Sequence, residues 1–179
     1  GGAVVRLAVR GPTLFSASAD GTVRLWKTAD GTAIRSINQG AAVSCLAVDA
    51  AGKIIAAGGA DNQVKLWNAV DGAALATLAG HPTALVDIQF NADASRLASV
   101  SNTGLWLWDV AGRRRLESFV LPEGEQRGVG FWESRLATLT ADGSLRIQTS
   151  HLTQVIDAHP DGTIALSVSP DGNQALTSG

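Results

Sequence analysis

Cysteine is almost absent from this chain of 179 residues, in which Cys45 stands alone. A lone cysteine has no partner for an internal disulfide, and it excludes a zinc site built from paired cysteines. Charged residues are also few, at 17 % of the chain, and the formal net charge is −2. Because no basic surplus is available to neutralise a phosphate backbone, nucleic acid is not expected as a partner.

Long apolar runs and the short motifs of common enzyme sites are missing as well. No segment approaches the roughly 20 apolar residues of a membrane-spanning helix, so no membrane partner is expected. Neither the Gly-x-Ser-x-Gly turn of many hydrolases nor a phosphate-binding loop is present. The histidines His81, His151 and His159 lack the spacing of metal ligands. We therefore expect no catalytic residue, no metal and no cofactor in this chain.

What the sequence does contain is an internal repeat. A short segment of alternating apolar residues ends in Trp26, in Trp67 and in Trp108, and a fourth copy ends in Gln148. Successive copies are 41, 41 and 40 residues apart. A period of about 40 to 45 residues with four strands per unit is typical of the blades of a β-propeller.

Each unit is predicted to form four short antiparallel strands. Segments rich in Val, Ile and Leu alternate with turn signals, which indicates an all-β protein. Asp-Gly pairs such as Asp71-Gly72 supply the positive φ that tight hairpins require, and they keep every run below helical length. The sequence thus predicts a propeller segment over residues 1–179, with four blades at about 3–38, 43–79, 84–120 and 127–158 and a half blade at 163–179.

These segments resemble the WD-repeat β-propeller family, and the resemblance covers nearly the whole chain. A blade of that family carries Gly-His before its first strand, Ser or Thr in its second, Asp in the next hairpin and Trp-Asp at the end of its third. The third unit matches best, with His81, Ser99, Asn102 in the place of Asp, and Trp108-Asp109. In the family these side chains form a hydrogen-bonded network inside each blade.

The other units keep only part of the network pattern. In the second unit Gln39-Gly40 replaces Gly-His and Ala57 replaces the hydroxyl residue, and in the fourth unit Gln148 replaces the tryptophan. The resemblance implies a structural role for the residues that remain, because each buried polar group needs a partner. These residues are Ser16, Asp20, Trp26, Asp61, Trp67, Thr138 and Asp142.

Five residues depart from the repeat and are candidates for contact with a partner. Arg113, Arg114 and Arg115 enter the outer strand of the third blade, where they either guard a strand edge or meet an acidic partner. Trp106 takes a place that is basic in the other units, and Trp132 is expected in a hairpin. Tryptophan is enriched in binding hot spots, but packing against a neighbouring blade also accounts for both.

The predicted units begin with an innermost strand and stop after the second strand of a blade. The strand between Gln174 and Ser178 is then an open edge, and another polypeptide, either the remainder of the propeller or a different chain, should lie against it. The inner face of the first blade, near residues 4–9, should likewise abut a neighbour, because Val5, Leu7 and Val9 otherwise lose half of their packing. We expect the chain to be a segment of a larger propeller.

A protein-binding scaffold is the leading hypothesis for function. Rigid repeats that carry variable loops suit recognition, and no catalytic motif is present. The alternative is an accessory propeller of a larger enzyme or redox protein whose catalytic part lies outside this chain.

Overall fold

The computed structural model of the chain describes residues 2–121, 125–132 and 135–148, and the backbone of strands at 153–157, 165–168 and 175–178. This part of the chain consists of strands joined by turns, and none of it is a helix that could cross a membrane. In chain order the strands are β1 (Val4–Arg10), β2 (Thr13–Ser18), β3 (Thr22–Lys27), β4 (Ala33–Asn38), β5 (Val43–Val48), β6 (Ile54–Gly59), β7 (Val64–Asn68), β8 (Ala74–Leu78), β9 (Leu85–Phe90), β10 (Arg96–Ser101), β11 (Gly104–Asp109), β12 (Arg114–Val120), β13 (Gln126–Trp132), β14 (Arg135–Thr140), β15 (Ser144–Gln148), β16 (Thr153–Asp157), β17 (Ala165–Val168) and β18 (Ala175–Ser178).

The strands form four antiparallel sheets of four strands, which we number blade 1 to blade 4, and one two-stranded sheet, β17–β18. Within each blade the strand order follows the chain order. The first strands of successive blades, β1, β5, β9 and β13, lie beside one another, as the innermost strands of a propeller do. The described sheets do not close into a ring. The prediction of an all-β propeller with an incomplete ring is confirmed.

The hydrophobic core lies between successive blades. Each strand presents alternate residues to its two faces, so one blade packs on both of its neighbours. The core between blades 1 and 2 draws on both sheets, and its largest members are Phe15, Leu25, Ile37, Leu46, Val48, Ile55 and Trp67. A second cluster joins blade 2 to blade 3, and a third joins blade 3 to blade 4.

Left-handed backbone recurs at the same end of blades 1, 2 and 3. In the hairpin between the first two strands Gly52 has φ 68°, and Ala94 stands at the corresponding place in blade 3 with φ 57°. In the hairpin between the last two strands Gly31 and Gly72 have φ 71° and 77°, and Arg113 stands there in blade 3 with φ 53°. A side chain at positive φ crowds the following carbonyl, so blade 3 is strained at both hairpins.

We predict that Ala94→Gly stabilises the protein, because glycine adopts the left-handed conformation without that crowding. The free energy of unfolding should rise by about 0.5–1 kcal/mol, the relief of strain being partly offset by the greater freedom of unfolded glycine. Urea denaturation followed by tryptophan fluorescence measures the change. The matched control, Gly52→Ala, should lower stability by a similar amount. A lower unfolding midpoint for Ala94→Gly would show that the hairpin of blade 3 is not strained.

Candidate functional site

A buried polar cluster in blade 3 brings together three of the predicted network residues. The Nε2 atom of His81 lies 2.7 Å from the Ser99 hydroxyl, and the Trp108 indole N–H donates to the same oxygen at 2.8 Å. The Nδ1 atom of His81 lies 3.2 Å from the hydroxyl of Ser101, a partner that the sequence analysis missed. Because Ser101 follows Ser99 by two residues on β10, both side chains face the same side of the sheet, and strand alternation could have identified it.

We assign the imidazole proton to Nδ1, because this tautomer satisfies the surrounding hydrogen bonds. Ser99 already accepts from Trp108, so its own hydroxyl proton is available to donate to Nε2 of His81. Nδ1–H then donates to Ser101, whose hydroxyl donates to the carbonyl of Gly104 at 3.4 Å. This assignment gives every proton an acceptor, and it requires His81 to be neutral.

The surroundings of His81 oppose its protonation. The ring is 4 % exposed, and burial lowers its pKa from 6.5 to about 4, with a further contribution from the positive charge of Arg115. A second proton on Nε2 would also leave the Ser99 hydroxyl without its acceptor. His81 is therefore a neutral structural residue at neutral pH.

Trp106 covers the polar cluster and is not a surface residue. Its ring stacks on His81, with 4.1 Å between the ring centroids and an interplanar angle of 19°. The guanidinium of Arg115, a residue of β12, lies 4.6 Å from the centroid of the Trp106 ring. Only 8 % of Trp106 is exposed. Its ring packs within the core between blades 2 and 3, which is the second of the two roles considered for Trp106. A Cβ atom on Gly80 would lie 2.6 Å from this ring, so a glycine is required there.

Blade 3 replaces an ion pair by this aromatic stack. At the corresponding places Asp20 pairs with Arg24 at 3.0 Å in blade 1, and Asp61 pairs with Lys65 at 2.9 Å in blade 2. Asn102 has no such cation, and it does not bond to His81 as the family network suggested. Its side-chain oxygen instead accepts from the backbone N–H of Gln126 at 3.1 Å, which ties blade 3 to blade 4.

The other blades retain fragments of the network. In blade 1 the indole N–H of Trp26 donates to Ser16 at 2.8 Å. In blade 2 the buried Gln39, at the place of His81, donates to Asp61 at 3.5 Å. Blades 1 and 2 therefore each have fewer polar contacts at this place than blade 3.

Blade 4 has lost the tryptophan end of the network. The hydroxyl of Thr138 is buried without a hydrogen-bond partner among the described residues, because Gln148 stands where the other blades have an indole. Asp142 still accepts from the Thr140 hydroxyl and from the N–H of Ser144, and these bonds lower the pKa of its carboxyl. The hairpin is thus kept although the buried network is not.

The three arginines of the charge run have separate environments. Arg113 occupies the strained turn, Arg114 lies 3.6 Å from the carboxylate of Asp109, and Arg115 covers Trp106. Trp132 is half-buried and is the last residue of β13, where it pairs with Arg135 of the β13–β14 hairpin. The strand continues through Trp132 because its backbone keeps the antiparallel register, and Glu133 and Ser134 lie outside the described residues.

An apolar face of blade 1 is open to solvent. Val4, Leu7 and Val9 of β1 are 58 %, 64 % and 52 % exposed. Their counterparts by strand register are buried in the next two blades: Val43, Leu46 and Val48 on β5, and Leu85, Ile88 and Phe90 on β9. Val5 differs from the prediction, because a bulge between Val4 and Arg6 turns its side chain toward the core of blades 1 and 2.

Groups with reactive potential are few in the part of the chain that the structure describes. No set of three or more His, Cys, Asp or Glu side chains there could hold a metal ion. Cys45 is fully buried, and burial raises the pKa of its thiol to about 12, which keeps it protonated. His151 and His159 lie outside the described residues.

We predict that stability falls as His81 is forced to accept a proton. The unfolded chain protonates His81 near pH 6.5, whereas the folded chain does so near pH 4. The contribution of neutral His81 to the free energy of unfolding is therefore fully present above about pH 6.5. It is lost as the pH falls from about 6.5 toward 4. The expected loss of unfolding free energy at about pH 5 is on the order of 1–2 kcal/mol. Urea denaturation at about pH 7.5 and about pH 5 measures it.

The control for this prediction is His81→Gln, which introduces the residue found at this place in blade 2. It should be less stable than the parent chain at the higher pH and should lack this part of the acid-induced loss. An equal loss in both proteins would mean that other groups cause the pH dependence.

Comparison with solved structures finds proteins of the same fold. Among solved structures, the structure of U3-55K superposes with a TM-score of 0.86 at 21 % identity, covering 92 % of this chain and 55 % of that one. The crystal structure of RRP9 WD40 repeats gives a TM-score of 0.85 at 21 % identity, covering 92 % of this chain and 54 % of that one. At this identity the likeness concerns the fold, and the chain spans about half the length of either structure. No curated protein sequence matches the chain.

The family model provides the more specific evidence. The model described as WD domain, G-beta repeat (WD40) matches residues 4–27, 31–68 and 72–109, which is more than half of the chain. These residues include the polar clusters of blades 1 to 3, with Trp26, Trp67 and Trp108 at the end of each third strand. The chain belongs to the WD domain, G-beta repeat family.

Proposed function

We propose that this chain is a scaffold for protein–protein interaction and that the open face of blade 1 binds a polypeptide. WD40 propellers are generally non-catalytic scaffolds that bind proteins, and membership of this family supports the proposed class of function. No described residue favours the alternative of an accessory propeller attached to an enzyme or a redox protein.

The single observation that carries the proposal is the exposure of Val4, Leu7 and Val9 on β1. In blades 2 and 3 the same positions are buried, so this surface has the composition of an interior. Covering three aliphatic side chains that are half or more exposed would contribute roughly 1 kcal/mol or more for each. A contiguous apolar surface of this kind marks a site of protein contact.

A cleft deepens the open face at one end. It has a volume of about 340 Å³, and Val9, Leu14 and Trp26 provide its apolar walls. Trp26 is only half-buried, whereas its counterparts Trp67 and Trp108 are buried by the preceding blade. We define the open face as Val4, Leu7, Val9, Leu14 and Trp26.

The chemistry of the occupant follows from the contact between blades 1 and 2. There the counterparts of the open face pack against an apolar sheet face that includes Phe15, Leu25 and Ile37. A partner for blade 1 should present a similar flat apolar surface, which a blade of the same kind provides. This partner segment belongs either to the same polypeptide or to another chain.

Site-directed photo-crosslinking in the intact protein tests the proposal. A photoreactive residue at Leu7 should cross-link to an apolar β-strand segment that mass spectrometry identifies. The control position is Val120, which is 92 % exposed at the end of β12 and lies outside the open face. Efficient cross-linking from Val120 but not from Leu7 would overturn the proposal.

Substitution within the open face should weaken the same contact. We expect Val9→Asp to reduce partner affinity by about tenfold or more, because a carboxylate is desolvated at an apolar contact. Val120→Asp makes the same chemical change at an exposed site and should leave affinity unchanged. Equal affinity for both variants would place the contact elsewhere.

A further inference from the structure

A groove separates blades 2 and 3 at the end of the sheets where their hairpins carry left-handed residues. Its volume is about 250 Å³. The walls come from Ile54, Leu66 and Leu75 of blade 2 and from Val110, Ala111 and Arg113 of blade 3. This surface lies between two blades and is distinct from the open face of blade 1.

The corresponding place between blades 1 and 2 is occupied by Arg35. Its Nη2 atom donates a hydrogen bond to the backbone carbonyl of Val70 at 3.2 Å. Its aliphatic stem lies over Gly72, where an added Cβ atom would be 2.7 Å from the Cδ atom of Arg35. An arginine of one blade thus reaches the hairpin of the next and satisfies its carbonyl.

Blade 2 lacks this arginine. Arg35 pairs with Leu25 across β3 and β4, and Ala76 pairs with Leu66 in the same register across β7 and β8. The carbonyl of Ala111, which corresponds to that of Val70, receives no hydrogen bond from any described residue. The groove therefore corresponds to the space that an arginine side chain fills one blade earlier.

The hairpins that line this groove are also the strained ones. Three non-glycine residues in the described part of the chain have positive φ, and two of them, Ala94 and Arg113, line the groove. The third is Asn62, a residue type that adopts this conformation readily. Strain that is retained at two neighbouring positions is typical of functional surfaces.

Two charges border the groove. Asp93 accepts the backbone N–H of Ser95 at 2.9 Å, and its bonds to Ser95 lower the pKa of its carboxyl, so it is an anion at neutral pH. Arg113 is exposed and has no carboxylate of the described residues within ion-pair distance. The carboxylate offers a counter-charge to a bound cation, whereas the exposed guanidinium is a like charge that solvent only partly screens.

We propose that the groove between blades 2 and 3 binds an arginine side chain of a partner polypeptide, as the groove between blades 1 and 2 holds Arg35. The stem of the bound arginine packs against Leu75 and Val110. Its guanidinium donates to the carbonyl of Ala111 and lies near the carboxylate of Asp93. Arginine suits such a site because its planar group presents several donors at the end of an apolar stem.

Nuclear magnetic resonance of the intact protein tests the proposal with capped glycine peptides that carry one central residue. The arginine peptide should shift the amide signals of Val110 and Ala111 and the methyl signals of Leu75. The citrulline peptide, which has nearly the same shape without the charge, should bind about tenfold more weakly. The proposal is overturned if the glutamate peptide shifts these signals through Arg113, or if no peptide shifts them.

Substitution at Ala76 provides a matched pair of variants. Ala76→Arg should fill the groove from within, as Arg35 does, and should abolish binding of the arginine peptide without lowering Tm. Thr77→Arg adds the same charge at the next, exposed position of β8 and should leave binding intact. Binding that survives Ala76→Arg, or that is lost equally in both variants, contradicts the proposal.

Substitution at Arg113 keeps the test independent of any effect of Ala76→Arg on folding. Arg113→Gly introduces the residue that blades 1 and 2 carry at this turn, so the fold is retained. It should strengthen binding of the arginine peptide severalfold, because it removes a like charge. Weaker binding of the arginine peptide would contradict the proposal, because Arg113 would then help to hold the peptide instead of opposing its charge.

Discussion

The contact between successive blades is the interaction on which the rest of this structure depends. A single four-stranded sheet of this size has apolar side chains on both faces, and it is stable only when both are covered. Leu46, Ile88 and Val129 occupy the same register position in successive blades, and each is buried by the blade before it. Leu7 occupies that position in blade 1 and is exposed. The surface that we propose as a binding site therefore has the same kind of residues as an ordinary blade interface.

The polar clusters inside the blades differ from one blade to the next. Blade 3 combines a neutral histidine, two serine hydroxyls and an indole, and the ring of Trp106 covers this cluster. Blades 1 and 2 use an ion pair at the same end of the sheet. The exchange of an aspartate and a cation for Asn102 and Trp106 shows that a blade tolerates different chemistry there.

Sequence analysis identified the fold because the repeat has three consistent signals: a tryptophan at a spacing of 40 to 41 residues, strand alternation and Asp-Gly turns. It also selected His81, Ser99 and Trp108, which the structure brings together. It could not place Trp106, because one alternating strand does not reveal which neighbour covers its faces. The sequence also does not point to Ala76. Its small side chain becomes informative only when the strand register shows that Arg35 fills the corresponding space between blades 1 and 2.

The strained turns could not be predicted from the sequence either. In the sequence Arg113 belongs to a run of arginines, and only its backbone angle shows that it stands where blades 1 and 2 have glycine. The same register that identifies this position also relates the groove at blade 3 to the site of Arg35. Comparison of a repeat with its own neighbours thus provides information that a single unit does not contain.

We propose that the open face of blade 1 is a covered interface in the working protein. Carbene footprinting of the protein, purified together with its native partners, measures the solvent exposure of single side chains. We expect Leu7 to be labelled no more than Leu46, its buried counterpart on β5. Labelling of Leu7 at the level of the exposed Val120 would contradict the claim.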